Sequence, residues 1–296
     1  MIYISLCVIF STNQLKAQDS IPEPPKPFYT PDSIMASGDF ELAAIAYEHL
    51  YFNSPDRHIK LEANLKKAEA LKAIGKFDQA ANDLGRSLIG QRDKENLIKI
   101  LYQMALCRFL NTDYPGARSE MLQLLAYAGT AALNNDCYML FSLIESMNKK
   151  PEEALKYATL FVENIDAEPD CKASMHNEIT NLFSTTYPRF RNPDKANRFS
   201  TFLPGTGQMY AGYPWWGILN GGIQLSSLTV AALLIFNQYY FSAFVLGFGT
   251  FQMFYFGGIK HARELAIKKN KKSENMFLFK LTNIFTEYQN APCGSI

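Results

Sequence analysis

The sequence predicts an all-α chain in which an array of helical repeats is followed by a transmembrane helical hairpin. Small and aromatic residues recur with a period of 37 between positions 31 and 166, which is typical of stacked helix–turn–helix units. Two stretches near the C-terminus, 215–236 and 239–259, hold no charged residue. Each is long enough, as a helix, to cross a hydrocarbon core of about 30 Å.

The repeat consists of three columns of residues that keep a constant phase. One column is aromatic, and Gly38 and Gly75 lie two residues before its first two members, where a turn before a new helix is expected. The small columns predict close helix crossings, and the aromatic column fills the space between neighbouring units. The aromatic column is Phe40, Phe77 and Tyr114, and the small columns are Ala43, Ala80, Ala117 and Ala154, and Ala68, Ala105 and Ser142.

The stretch from Ala68 to Ala80, with a small residue, a glycine, an aromatic and an alanine in order, resembles the tetratricopeptide repeat signature. The resemblance covers about residues 31–166. It departs from the family in its period of 37 instead of 34, in Pro151 at the fourth aromatic position, and in a shortened first helix at 31–37. A generic helical bundle in which the spacing arose by chance is the alternative.

The family resemblance implies a groove, lined by the leading helix of each unit, that binds a peptide or another protein. The same residues could equally form an ordinary solvated face. The residues that this groove would present are Glu62, Glu69, Lys99, Tyr102, Asp136 and Met139.

The apolar stretches predict two helices joined by a short uncharged turn at 237–240. Small residues spaced by four would let these helices approach closely in lipid. Polar residues at 220, 224 and 252 predict hydrogen bonds between the helices in preference to a conducted path, because none of them is ionisable. The small pairs are Gly217 with Gly221, and Ala243 with Gly247.

A glycine motif at 204–212 precedes the hairpin. Its sequence is similar to a Pro-Gly-x-Gly-Gln-x-Tyr-x-Gly motif that opens a two-helix hairpin in small, uncharacterised bacterial membrane proteins, a resemblance that implies no activity. The glycines permit tight backbone at the membrane surface, and their spacing does not match a phosphate-binding loop. The motif residues are Pro204, Gly205, Gly207, Gln208, Tyr210 and Gly212.

These features predict six segments along the chain. They are a signal peptide at 1–18, a proline-rich linker at 19–33, the repeat domain at 34–185, a basic linker with the glycine motif at 186–214, the hairpin at 215–259 and a basic amphipathic tail at 260–296. The apolar spacing of the tail between 276 and 288 fits a helix that lies at the membrane interface or one that docks on the protein itself.

Two sequence cues disagree about the side of the membrane on which the repeats lie. The signal-like segment predicts export of the repeats to the periplasm of a bacterium. Basic clusters flank both ends of the hairpin, and the positive-inside rule would place those ends, and the repeats, in the cytoplasm. The net charge is −6 over residues 31–170 and +7 over residues 171–296, which suits contact of the second half with anionic lipid. We prefer export, with the cytoplasmic side left open.

The sequence carries no catalytic, cofactor or metal signature. The four histidines are isolated, and the five cysteines contain no C-x-x-C pair. Burial as small apolar residues is expected for the cysteines after position 18, with a Cys107–Cys137 disulfide as the alternative. Nucleic acid is not an expected partner, since no recognition module accompanies the basic half.

The function predicted from the sequence is therefore that of a scaffold or adaptor in the bacterial cell envelope, not that of an enzyme. Its repeats would bind a protein or peptide, and its hairpin would hold them at membrane lipid. The alternative is an accessory subunit of a membrane transport or secretion complex, in which the hairpin assembles with further copies of itself.

Overall fold

The computed structural model describes residues 29–129 and 133–290, and all of its regular elements within these ranges are helical. The predicted all-α class is thus confirmed. The predicted signal peptide and most of the proline-rich linker lie outside the described residues. The described residues divide into two compact units: the first comprises residues 29–129, 133–185 and 279–290, and the second comprises residues 186–278.

The first unit is a succession of helices in which each helix from α1 to α7 packs on the next in the chain. The alternate helices α3, α5 and α7 also contact one another in order. The helices are α1 (Tyr29–Ala36), α2 (Phe40–Asn53), α3 (Arg57–Ala73), α4 (Phe77–Gly85, continued by a 3₁₀ turn at Arg86–Leu88), α5 (Lys94–Leu110), α6 (Tyr114–Ala128), α7 (Asn135–Met147), α8 (Pro151–Asn164) and α9 (Pro169–Thr186).

The starts of four of these helices follow one another at the period of the sequence. Helices α2, α4, α6 and α8 begin at Phe40, Phe77, Tyr114 and Pro151, each 37 residues after the last. Phe77 and Tyr114 are partly buried. The small columns are buried, with no member more than 1% exposed: Ala43, Ala68, Ala80, Ala105, Ala117, Ser142 and Ala154.

A second periodic feature lies in the backbone of the turns before these helices. Gly38, Gly75, Thr112 and Lys149 have φ of 85°, 74°, 62° and 62°, in the left-handed region. At the last three turns the following residue donates its N–H to the carbonyl five positions earlier, for example Lys76 to Leu71 at 2.9 Å. This is the Schellman cap, which satisfies carbonyls at the end of a helix. The left-handed turn is therefore present at Thr112 and Lys149 as well, where the sequence has no glycine.

The second unit contains the hairpin. Its helices are α10 (Pro193–Phe202), α11 (Thr206–Tyr210), α12 (Pro214–Phe236) and α13 (Tyr240–Ser242), which continues through a π-helical segment (Ala243–Gly249) into α14 (Thr250–Asn290). The turn after α12 uses the same cap, since Gln238 has φ of 68° and Tyr239 donates to the carbonyl of Leu234 at 2.9 Å. The π-helical segment packs on α12.

The predicted tail is not a separate segment, because helical structure runs without a break from Tyr240 to Asn290. Residues 279–290 belong to the first compact unit, so the predicted boundary of the repeat domain at 185 omitted them. Their apolar side chains are buried there: Leu281 and Phe285 are fully enclosed, and the Phe285 ring lies 4.7 Å from that of Phe161. Of the two readings of the tail, the one docked on the protein is therefore the correct one for residues 279–290.

The turn geometry leads to a first prediction. A residue other than glycine in the left-handed region costs roughly 1–2 kcal/mol, and a β-branched residue is especially unfavourable there. We expect Thr112→Gly to raise the free energy of unfolding of the first unit by about 1 kcal/mol, and the reciprocal Gly75→Thr to lower it by a similar amount.

Because both tryptophans lie in the second unit, tryptophan fluorescence would not report on this change. Pulse proteolysis in urea, followed on fragments of the first unit, measures it instead. A loss of stability in Thr112→Gly would contradict the assignment of strain to this turn.

Candidate functional site

The first candidate site is the polar face of α3 and α5, where the sequence places a partner groove. Lys66 on α3 bonds to Asp32 at 2.9 Å and lies 3.5 Å from Glu62. Asp32 also accepts a hydrogen bond of 2.5 Å from the Tyr47 hydroxyl. Glu62 therefore belongs to a linked set of charges that joins α1, α2 and α3, and it is only partly buried.

The remaining predicted groove residues differ in how much of them a partner could reach. Glu69 and Lys99 are exposed, and Lys99 pairs with Glu95 on its own helix at 2.7 Å. Tyr102 is partly buried, and its burial, with Asp136 nearby, raises the pKa of its hydroxyl well above the usual range. Asp136 accepts a hydrogen bond from Gln289 at 3.1 Å. The C-terminal segment 279–290 thus already contacts one predicted groove residue.

Met139 does not lie on an open surface, and its placement in the groove is corrected by the structure. The side chain is 1% exposed. The reason is that α7 is enclosed on all sides, since every residue from Cys137 to Met147 is buried. The open part of the predicted groove is therefore formed by Glu62, Glu69 and Lys99.

A buried ionic cluster in the first unit was not anticipated from the sequence. Lys67 is buried and bonds to Glu48 at 2.7 Å and to Asp83, while Arg86 bonds to both oxygens of Glu48 at 2.9 and 3.0 Å. Burial alone would raise the pKa of Glu48, but the hydrogen bonds from Arg86 and Lys67 outweigh it and hold the pKa below the usual value. Two cations match two carboxylates, so the cluster is balanced and suits a packing role. No spacing in the sequence marks it.

The second candidate site is the glycine motif that precedes α12. Gly205 has φ of 91°, and a Cβ atom on it would lie 2.2 Å from the carbonyl oxygen of Gly217. A Cβ on Gly217 would in turn lie 2.4 Å from the carbonyl oxygen of Gly205. A Cβ on Gly221 would be 3.1 Å from the Pro204 carbonyl oxygen. The backbone of the motif thus touches the first turns of α12, and Gly217 and Gly221 serve that contact.

Gln208 is the polar centre of the motif, and it is fully buried. Its amide nitrogen donates to the Gly258 carbonyl at 2.9 Å, and its amide oxygen accepts from the Ser200 hydroxyl at 3.0 Å. The neighbouring Gly207 leaves no room for a side chain, because a Cβ there would lie 2.0 Å from the Ala196 carbonyl oxygen. Gln208 therefore joins α10, α11 and α14 at one point.

Tyr210 and Arg191 complete the motif. The Tyr210 hydroxyl accepts the backbone N–H of Asn192 at 3.1 Å, and the Tyr210 carbonyl accepts the Arg191 guanidinium. Asn270 brackets Arg191, accepting its backbone N–H and donating to its carbonyl, each at 2.8 Å. Arg191 and Asn270 are far apart in the sequence, so no motif could have paired them. All of these contacts position helices, and none presents a reactive group.

Several small and polar residues lie inside the hairpin and most of its large apolar residues lie outside, whereas Gln252 is exposed, contrary to the predicted hydrogen bond between the helices. A Cβ on Gly247 would lie 2.3 Å from that of Ala231, and Ala243 is buried. Buried Gln224 donates to Asn220 at 2.9 Å and to the Phe254 carbonyl at 3.3 Å. Hydrogen bonding within the hairpin thus accounts for the amide nitrogen of Gln224, whereas its buried amide oxygen has no partner among the described residues. The Gly247–Ala231 contact matches the close crossing that the small residues favour.

The cysteines and other metal-binding side chains form no site in the described ranges. No group of three or more His, Cys, Asp or Glu side chains there could hold a metal ion. Cys107 and Cys137 are buried, and burial raises the pKa of Cys137 to about 12. Cys171 is buried as well.

No protein-family model, curated protein or solved structure matches the chain. The class of protein follows from the geometry alone. It is an all-helical protein with two helices, Pro214–Phe236 and Tyr240–Asn290, that are long and apolar enough to cross a membrane.

The glycine motif gives a second prediction. We expect Gly207→Ala to destabilise the second unit by roughly 3 kcal/mol, the scale of overpacking in a close-packed site, because the new methyl group meets fixed backbone. Gly222→Ala is the matched control, since a Cβ there has nothing within 4 Å, and alanine favours the helix. Tryptophan fluorescence during thermal unfolding in detergent reports this unit. Equal effects of the two substitutions would contradict the packing role of the motif.

Proposed function

We propose that the protein is a membrane-anchored scaffold of the bacterial cell envelope, which holds a protein or peptide partner through its helical first unit. One observation carries the proposal. The most apolar windows of the two long C-terminal helices are each only 17% buried within the protein. An apolar helix of a soluble protein is covered by its own core, whereas these two present their apolar side chains outward.

The outward side chains are large. Leu225 is 69% exposed and Phe244 is 70% exposed, with Phe236 and Phe241 exposed as well. A monomeric soluble protein rarely exposes a contiguous apolar patch of more than a few hundred Å². Covering each such side chain with hydrocarbon contributes about 1.5–3 kcal/mol. Two helices of this kind, joined by a short turn, support a hairpin that crosses the lipid.

The repeat array supports the interaction part of the proposal. The periodic helix starts and the repeated caps are consistent with stacked helical pairs of the tetratricopeptide type, in which the leading helices would be α3, α5 and α7. Such arrays bind partners along one face, and here the open residues of that face are Glu62, Glu69 and Lys99. A mixed-charge surface of this kind suits a polar peptide segment.

The signal-like N-terminus favours export of the first unit. We give it more weight than the basic flanks of the hairpin, which can bind anionic lipid on either leaflet. The proposal therefore places the repeats on the periplasmic side.

The test is site-specific photocrosslinking in intact bacteria. A photoreactive amino acid at Glu69 or at Lys99 is expected to give the same protein adduct in the membrane fraction, because both positions belong to one open face. The same amino acid at exposed Lys156 on α8 serves as the control and is expected to give none. If neither Glu69 nor Lys99 gives an adduct while the protein is present in membranes, the proposed partner surface is wrong. The proposed membrane anchor would not be affected by that result.

One observation favours the second candidate function, an accessory subunit of a transport or secretion complex whose hairpin assembles. A Cβ on Gly222 or on Gly257 would have nothing within 4 Å, so neither glycine is needed for packing within the chain. Glycine in a helix interior costs about 1 kcal/mol relative to alanine. Close approach of another transmembrane helix would account for these positions.

This alternative is tested by the size of the detergent-solubilised protein. If the hairpin assembles through this face, Gly222→Ile is expected to reduce the assembly to a monomer, because the larger side chain prevents close approach. Gly249→Ile is the control, as its nearest neighbour atom would be 3.6 Å away, an ordinary contact. An unchanged assembly size in Gly222→Ile removes the alternative.

A further inference from the structure

A basic recess of about 370 Å³ opens in the first unit where α3 and α5 begin. Its wall includes Tyr51, Arg57, Lys60 and Arg86, and no carboxylate lines it. Residues from the first turns of α3 and α5 contribute to the wall, and the positive ends of both helix dipoles lie there. The recess does not include any residue of the polar face formed by Glu62, Glu69 and Lys99.

The positive charge of the recess is partly unmatched. Arg86 is matched by Glu48, at 2.9 Å, and by Asp83, at 3.2 Å. Arg57 and Lys60 form no ion pair within the part of the chain that the structure describes. The nearest acidic side chain in the sequence, Asp56, caps α3 by accepting the His58 N–H at 2.8 Å. Arg57 and Lys60 therefore remain available to an anionic ligand.

Aromatic and aliphatic groups stand beside these cations. The Tyr51 ring lies 5.0 Å from the Arg86 guanidinium carbon and 5.8 Å from the Lys60 ammonium nitrogen. Phe52 packs edge-on to Tyr51 at 5.4 Å and is 64% exposed, and Ile89 at the wall is 86% exposed. Exposed aromatic residues next to arginine are characteristic of protein interfaces.

We propose that this recess binds an acidic peptide segment of a partner protein, with carboxylates on Arg57 and Lys60 and an apolar side chain against Phe52 and Ile89. A bare phosphate would use the two cations but not the exposed apolar pair. The amide side chains of Gln91 and Asn96 in the wall can bond to peptide backbone groups. The site is additional to the polar face, so its test does not depend on the outcome of the crosslinking experiment.

The experiment is fluorescence anisotropy of a short fluorescein-labelled peptide of alternating Glu and Phe, added to the full-length protein in a mild uncharged detergent. The double charge reversal Arg57→Glu with Lys60→Glu is expected to weaken binding by at least about tenfold. Phe52→Ala, a change at an exposed position, is expected to weaken it by roughly fivefold. Pulse proteolysis confirms that each variant is folded.

The matched control is Lys150→Glu with Lys156→Glu, which changes the net charge equally at exposed positions on and next to α8. It is expected to leave the affinity within about twofold of the original. An equal loss in this control would overturn the proposal, because the binding would then depend on net charge alone. Equal binding of a peptide with Lys in place of Glu would overturn it as well.

Two further measurements distinguish an acidic peptide from inorganic phosphate and from anionic lipid as the ligand of the recess. Inorganic phosphate at millimolar concentration is expected not to displace the peptide, and complete displacement would make the recess a phosphate site. Vesicles of phosphatidylglycerol are expected to bind the protein equally with and without the Arg57 and Lys60 reversals. Loss of vesicle binding in the double reversal would assign the two cations to the membrane surface and overturn the peptide proposal.

Discussion

The apolar side chains of α12 and of the helix that begins at Tyr240 point away from the protein, and in the proposed membrane anchor hydrocarbon covers them without cost. In that medium no hydrophobic effect holds two helices together, so close backbone packing and internal hydrogen bonds must do so. The second unit has both. Gly247 meets Ala231 at close range, and Gln224 bonds to the Phe254 carbonyl.

The glycine motif follows from the same constraint. In the proposed membrane anchor, backbone polar groups that enter the hydrocarbon must be satisfied within the protein, because water is absent there. Gly205 and Gly217 let two backbone segments touch, and Gln208 bonds to a helix carbonyl on one side and to Ser200 on the other. The motif is thus explained by packing and hydrogen bonding. This accounts for a specific sequence that carries no catalytic group.

The first unit also relies on small residues, but it uses them to build a core that lies within the protein. Its small columns lie buried, and most of its large apolar side chains are covered by the protein itself, with Phe52 and Ile89 among the exceptions. The C-terminal residues 279–290 contribute to this core through Leu281 and Phe285. The exposed polar face and the basic recess are the surfaces that we propose for partners, one of mixed charge and one positive.

Much of this architecture could be predicted from the sequence, because periodicity and long uncharged stretches are local signals. The period of 37 matches the spacing of helix starts, and the predicted stretch 215–236 nearly coincides with Pro214–Phe236. The left-handed turns at Thr112 and Lys149 could not be predicted, since residues other than glycine rarely adopt that conformation. The length of the last helix was also not predicted. Its charged middle, around Lys268 to Lys272, indicates the end of the membrane helix when only hydropathy is considered, although the helix continues.

The site residues were harder to predict, for a physical reason. Gln208 and the glycines were identified by their motif, but Arg191 and Asn270, which complete the cluster, meet only in the folded chain. Met139 was misplaced because helical spacing alone cannot show that α7 is enclosed on every side. The ion cluster around Lys67 has no spacing signal at all, since its members come from α2, α3, α4 and the 3₁₀ turn that follows α4.

The most direct measurement of the central claim is the accessibility of spin labels at Leu225 and Phe244, introduced through cysteine, in proteoliposomes. If these side chains face lipid, both labels will be relaxed by oxygen far more than by a water-soluble nickel complex, whereas a label at exposed Glu153 will show the reverse. Nickel accessibility at Leu225 and Phe244 equal to that at Glu153 would show that the hairpin lies in water, and the account of a membrane anchor would be wrong.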